Sequence, residues 1–111
     1  MGRVRREPTR GMVRIRLRLP KRLGDQIQAR AARDDTTVRA ALRAVIAAGL
    51  RHRSAVLDAA RAPRGGSTYS VAFLPLPPAR AAELRELTKK LDVSVNEVVR
   101  RAVEAALGNR A

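Results

Sequence analysis

Displaced by 57 residues, the chain lines up on itself: residues 12–50 match residues 69–107 without a gap. Eight of the 39 pairs are identical, among them Leu17/Leu74, Leu19/Leu76, Pro20/Pro77, Asp35/Asp92, Val38/Val95, Arg43/Arg100 and Leu50/Leu107. Ile27/Leu84, Thr37/Ser94 and Ile46/Val103 are conservative pairs at expected core and cap positions. In a chain so rich in Arg and Ala, eight identities carry little weight alone. Their coincidence with structural landmarks marks two copies of one small unit. At 111 residues, the chain has room for one compact domain or two very small modules.

The first copy opens on a strict alternation of aliphatic residues and arginines, Val13-Arg14-Ile15-Arg16-Leu17-Arg18-Leu19. Period two is the signature of a strand with one buried and one exposed face. Pro20 stops it, and proline also suits the first turn of a helix. Leu23, Ile27, Ala31 and Ala32 then recur at helical spacing, which predicts a short amphipathic helix to about Arg33. Asp34, Asp35, Thr36 and Thr37 break the pattern, and Thr37 is the expected N-cap of a second helix carrying Val38, Ala41, Leu42, Val45, Ile46 and Leu50.

In the second copy, Ser94 and Glu97 stand at capping-box spacing ahead of an apolar-periodic helix. The alignment puts Val71, Phe73 and Pro75 on the face that carries arginines in the first copy, with Ser70, Ala72, Leu74 and Leu76 toward the core. Pro75 has no N–H and must sit on the outer side of a ladder or at a bulge. Phe73 on this face suits packing, and a local slip would turn it inward. The expected organisation is a basic arm over 1–11, a first copy over 12–50, a connector over 51–68, a second copy over 69–108 and a tail over 109–111. Residues 54–61 of the connector continue the preceding helix or form a short one; residues 62–68, with Pro63, Gly65 and Gly66, read as flexible.

Charge narrows the partner. The chain holds 24 Lys+Arg against 10 Asp+Glu, a net charge of +14, which favours a polyanion. Of the basic residues 21 are Arg, a bias that the base composition of coding DNA also produces. Such a bias acts evenly along a chain, whereas here the net charge is +9 over residues 1–50, +3 over 51–68 and +2 over 69–111. Arg3, Arg5, Arg6 and Arg10 make the opening stretch a basic arm, suited to tracking a phosphate backbone, entering a minor groove or adding non-specific attraction.

Several function classes are disfavoured. With no Cys and one His, His52, the chain offers no disulfide framework, thiolate metal site or Cys–His dyad, and no cofactor site is expected. No paired carboxylates, phosphate-cradling glycine loop or nucleophile–base set stands at useful spacing, so an enzyme is not expected. The longest apolar run, residues 44–50, is far below the roughly 18 residues of a membrane span, and the basic N-terminus lacks the apolar segment of a secretory signal. The expected location is the prokaryotic cytoplasm, in association with nucleoid or plasmid.

A basic alternating strand ending in Leu19-Pro20, a helix of about 13 residues, a tight turn with Thr37 and a second amphipathic helix resemble the ribbon-helix-helix family of DNA-binding proteins, the superfamily of the Arc and methionine repressors. The run Leu76-Pro77 through Ser94-Val95-Asn96-Glu97-Val98-Val99-Arg100-Arg101-Ala102 resembles its helical part more closely than the first copy does. The fold implied is mainly α with short β: two β-α-α copies pairing their strands into an antiparallel ribbon over four helices. Elementary physics agrees, because a lone strand exposing arginines is unstable and neither copy closes its apolar faces alone.

The resemblance implies double-stranded DNA as partner, with Arg14, Arg16 and Arg18 reading bases and Thr37, Val38, Arg39, Ser94 and Val95 anchoring phosphates at the second-helix N-termini. On the second strand, Val71 and Phe73 are the groove-facing candidates, Phe73 being suited to contact with thymine methyls. Simpler readings stand beside these: a solvated arginine face, and plain N-capping by Thr37 and Ser94. Two assemblies satisfy the repeat, an intramolecular pseudo-dimer reading an asymmetric site, or a homodimer with a six-arginine ribbon on a pseudo-palindrome. Tandem members serve in plasmid conjugation beside a relaxase at the transfer origin, so the roles implied are transcriptional repressor or transfer-origin accessory factor. The alternatives are an antitoxin that binds its operator and a toxin, and a coat protein binding nucleic acid by charge alone.

Overall fold

The structure, a computed structural model, describes residues 11–60 and 65–108. The basic arm residues Arg3, Arg5, Arg6 and Arg10, and the tail from residue 109, lie outside the described residues. The element order is β1 (Val13–Pro20), α1 (Lys21–Arg33), α2 (Val38–Leu50), α3 (Arg53–Asp58), β2 (Thr68–Leu76), α4 (Pro78–Leu91) and α5 (Val95–Leu107). The architecture is mainly helical, with one two-stranded antiparallel sheet. β1 pairs with β2 of the same chain, so each copy finds its partner strand in the other copy.

Local chemistry sets the boundaries. Pro20 and Pro77, with φ −53° and −58°, each end a strand and cap the following helix. The first free helical N–H of α1, on Lys21, donates to Ser67 O at 3.0 Å, so the ribbon's hydrogen bonding runs into the helix. The two inter-helix turns are built alike. Asp35 and Asp92, matched in the repeat, both adopt the left-handed conformation, with φ 53° and 57°. Each turn is closed by the same bond, Thr36 N–H to Ala31 O in the first copy and Val93 N–H to Thr88 O in the second. Aspartate is one of the few non-glycine residues that visits this region readily.

The core lies between the ribbon and the helices. Leu17, Leu19, Leu23, Ile27, Leu42, Ile46, Leu74, Leu76, Leu84, Leu87, Val98, Val99 and Val103 are fully buried. α2 crosses α5 at close range, because a Cβ on Gly49 would fall within 1.8 Å of Ala102 O. Only glycine admits that approach. On the ribbon side, a Cβ on Gly24 of α1 would meet Tyr69 Cβ at 2.5 Å.

The copies are exchanged about the ribbon: α5 packs on β1, while α2 reaches β2. The connector breaks this symmetry. Residues 53–58 form a helix of their own, α3, which lays the buried Val56 against α5. Arg101 Nη1 donates to Val56 O at 3.0 Å and Arg100 Nη2 to Ala60 O at 2.7 Å, satisfying carbonyls at the end of this short helix.

Candidate nucleic-acid interface

On β1 the alternation is kept: Arg14, Arg16 and Arg18 are exposed, Leu17 and Leu19 buried, Val13 and Ile15 partly buried. The outer face of the ribbon is thus an arginine row. Among the described residues no carboxylate pairs with these three side chains, whereas Arg22, Arg80, Arg100 and Arg101 are all held in ion pairs. Guanidiniums aligned on one strand face form a local anion-attracting surface.

β2 departs from the expected phase. Cα partners run Val13↔Leu76, Arg14↔Pro75 and Ile15↔Leu74, then resume at Leu17↔Val71, Arg18↔Ser70 and Leu19↔Tyr69. Between them Arg16 faces two residues, Ala72 and Phe73, which is a β-bulge. The bulge reverses the facing of everything before it. Val71 is buried at 6% exposure, so it belongs to the core and not to the groove face; Ser70 and Ala72, expected inward, are exposed. Burial supplies the reason: the extra residue lets Val71, Leu74 and Leu76 all turn inward, each worth about 1.5–3 kcal/mol, against one disrupted ladder position. Phe73 remains outward, 56% exposed, and Pro75 is half-buried.

The second helices begin beside this face. Thr37 Oγ1 accepts from Ala40 N–H at 3.0 Å and Ser94 Oγ from Glu97 N–H at 3.1 Å, so both act as N-caps at matched positions. Thr37, Val38, Arg39 and Arg43 line an open depression with Tyr69, Ser70, Val71 and Ala72. On the other flank, Asn96 joins Arg16, Leu17, Arg18, Ser70, Val71 and Ala72 around a second depression. Asn96 also grips the strand edge: its Oδ1 accepts from Arg18 N–H at 2.7 Å and its Nδ2 donates to Arg18 O at 2.8 Å. One side chain thereby closes part of the free edge of β1 and fixes the α5 N-terminus beside the ribbon. Ser94 and Val95 are held there with it; Arg39 is exposed on the opposite flank.

No protein-family model, curated protein or solved structure matches this chain. The site therefore stands on its own geometry. Among the described residues, no group of His, Cys, Asp and Glu is arranged to hold a metal ion, and no helix is long and apolar enough to cross a membrane.

Sequence reasoning missed Asn96, and it missed the phase change that brings Ser70 and Ala72 onto the outer face. The signal for the latter is present, because Tyr69 and Val71 share one parity while Leu74 and Leu76 share the other. It also missed the use made of Glu97. The expected capping box is half-formed, since the Glu97 carboxylate goes to Arg100 Nε and Nη2 at 3.0 and 2.6 Å and to Arg101 Nε at 3.0 Å. Burial pushes the Glu97 carboxyl up, but hydrogen bonds and charge from Arg100 and Arg101 outweigh it and hold the pKa below the ordinary glutamate value. The hydrogen bond to Glu97 in turn holds the Arg100 guanidinium above its usual value.

Proposed function

We propose that this chain is a sequence-specific double-stranded DNA-binding protein, a tandem ribbon-helix-helix unit whose two copies form one reading head. The observation that carries the reading is the outward row of Arg14, Arg16 and Arg18 on a two-stranded ribbon flanked by the N-termini of α2 and α5. A ribbon of this kind fits a major groove about 12 Å wide, and alternate strand residues about 6.6 Å apart reach base pairs two steps apart. Arginine's planar fork grips guanine O6 and N7 with two hydrogen bonds. The first-turn N–H groups at Val38 and Val95, with the side chains of Thr37, Ser94 and Arg39, supply phosphate anchors on both flanks. The roles that suit such a head are transcriptional repression or marking a transfer origin for a relaxase on a mobile element.

Selection of bound fragments from random DNA by the full chain, followed by footprinting at physiological salt, tests this directly. A defined motif is expected. Combined replacement of Arg14, Arg16 and Arg18 by alanine abolishes preference for that motif while circular dichroism and the thermal midpoint show the helices retained. Survival of the preference in the triple variant would overturn the assignment of the ribbon as the reading element.

A further inference from the structure

Arg16 and Phe73 occupy matched positions in the 57-residue repeat, and the register that pairs Ile15 with Leu74 sets them across from each other near the middle of the ribbon. In a ribbon with identical copies this place would hold two identical side chains. Here it holds a guanidinium and a phenyl ring. Phe73 is the large hydrophobic side chain left exposed among the described residues, and it shares its face with three arginines. Its exposure is set by the backbone: Val71 and Leu74 on either side of the bulge already point into the core, so the ring has no inward place. The neighbouring outward residues, Ser70 and Ala72, are short, which leaves the ring projecting.

We propose that Phe73 is a second, apolar reading element that selects a thymine through its 5-methyl group, making the DNA site asymmetric at its centre. Thymine's methyl is the apolar group that a base pair displays in the major groove, as guanine O6 and N7 are its paired acceptors. Paired strands lie about 4.8 Å apart and base pairs rise about 3.4 Å, so the tips of Arg16 and Phe73 fall within one or two base-pair steps of each other. The central sequence is therefore a guanine facing Arg16 with a thymine no more than about two base pairs away facing Phe73. Charge complementarity commits the face to a polyanion, because an apolar protein partner would have to bury Arg14, Arg16 and Arg18 without counter-charges. The inference rests on the ribbon entering the major groove and names what the second strand does there.

The test uses the full chain and a duplex carrying its selected motif, with each thymine replaced in turn by uracil, which removes only the methyl. Loss of one contacting methyl weakens binding about threefold to tenfold. The expected result is one such position near the Arg16-dependent guanine for the unaltered chain, and no discrimination between thymine and uracil there for Phe73→Ala. Because Phe73 is exposed, Phe73→Ala keeps its thermal midpoint, and Phe73→Leu, which retains an apolar tip, keeps part of the preference. Indifference of the unaltered chain to every thymine-to-uracil change overturns the inference, as does Phe73→Ala that discriminates like the parent. In either case, if the triple arginine variant still loses the motif, the ribbon reading stands and only the role of Phe73 falls. If the unaltered chain selects no motif, both fall together.

Discussion

Glu97 shows how one side chain reconciles several demands. Arg100 and Arg101, each 6% exposed, are buried cations on a helix whose other inward positions are aliphatic. Burying a guanidinium is costly unless charge and hydrogen bonds meet it, and Glu97 meets both, with Glu104 adding a contact to Arg100 at 3.0 Å. Glu97→Gln removes that charge, and a loss of about 1–3 kcal/mol is expected in urea unfolding at neutral pH. The dependence on pH follows from the direction of the shift. A carboxyl held below its ordinary value, near 4.3 in an unfolded chain, contributes fully above that value and loses its contribution as pH falls through the folded value. Stability of the unaltered chain should thus decline below about pH 4, and its advantage over Glu97→Gln should shrink in the same window. A gap that stays constant from pH 7 to pH 3 would contradict this account.

At the scale of the element, the bulge in β2 separates what the core requires from what the outer face presents. Val71, Leu74 and Leu76 are inward, Phe73 outward. Removing Ala72 would restore a regular two-residue alternation with the same side chains inward and Phe73 directly opposite Arg16. The expected outcome is a folded chain whose thermal midpoint changes by only a few degrees, since about 1 kcal/mol corresponds to roughly 4–8 °C in a domain of this size. The DNA motif selected should nevertheless change, because the spacing of Ser70 and Arg18 relative to Phe73 is altered. Unfolding on deletion would show instead that the bulge's added twist is needed to seat the helices.

Much of the element level was legible in the sequence. Strict alternation in residues 13–19, Pro20 and Pro77, and the caps Thr37 and Ser94 gave β1, α1, α2 and α5 nearly to the residue, because these signals are local and steric. Of the candidate interface, the arginine row was readable for the same reason. The facing of Val71 was not, since an ungapped alignment of the copies assumes one register throughout, and a bulge is decided by what the opposite strand and the helices beneath can bury.

For the whole molecule, β1 pairing with β2 in one chain leads us to expect unimolecular folding. Covalent linkage holds the second copy at high effective concentration, which removes the need for a second chain. Free of DNA, the protein is expected to sediment as a monomer, with a thermal midpoint independent of concentration over a hundredfold range, and to bind with one chain per site. A midpoint rising with concentration, or two chains on a two-fold symmetric footprint, would favour strand exchange between chains instead.

The sequence by itself determined two β-α-α runs, the points at which Pro20, Pro77, Thr37 and Ser94 stop a strand or start a helix, and one strand with an arginine face. Those are properties of neighbours along the chain, fixed by sterics, capping and periodicity. Only the tertiary structure decided that the two strands meet within one molecule, that a bulge turns Val71 inward and leaves Phe73 beside Arg16, and that Asn96 ties α5 to the ribbon edge while Arg100 and Arg101 reach the carbonyls of Ala60 and Val56. Each of these depends on contacts between residues far apart in the chain, where the gain from burial and the cost of an unpaired polar group outweigh local preference.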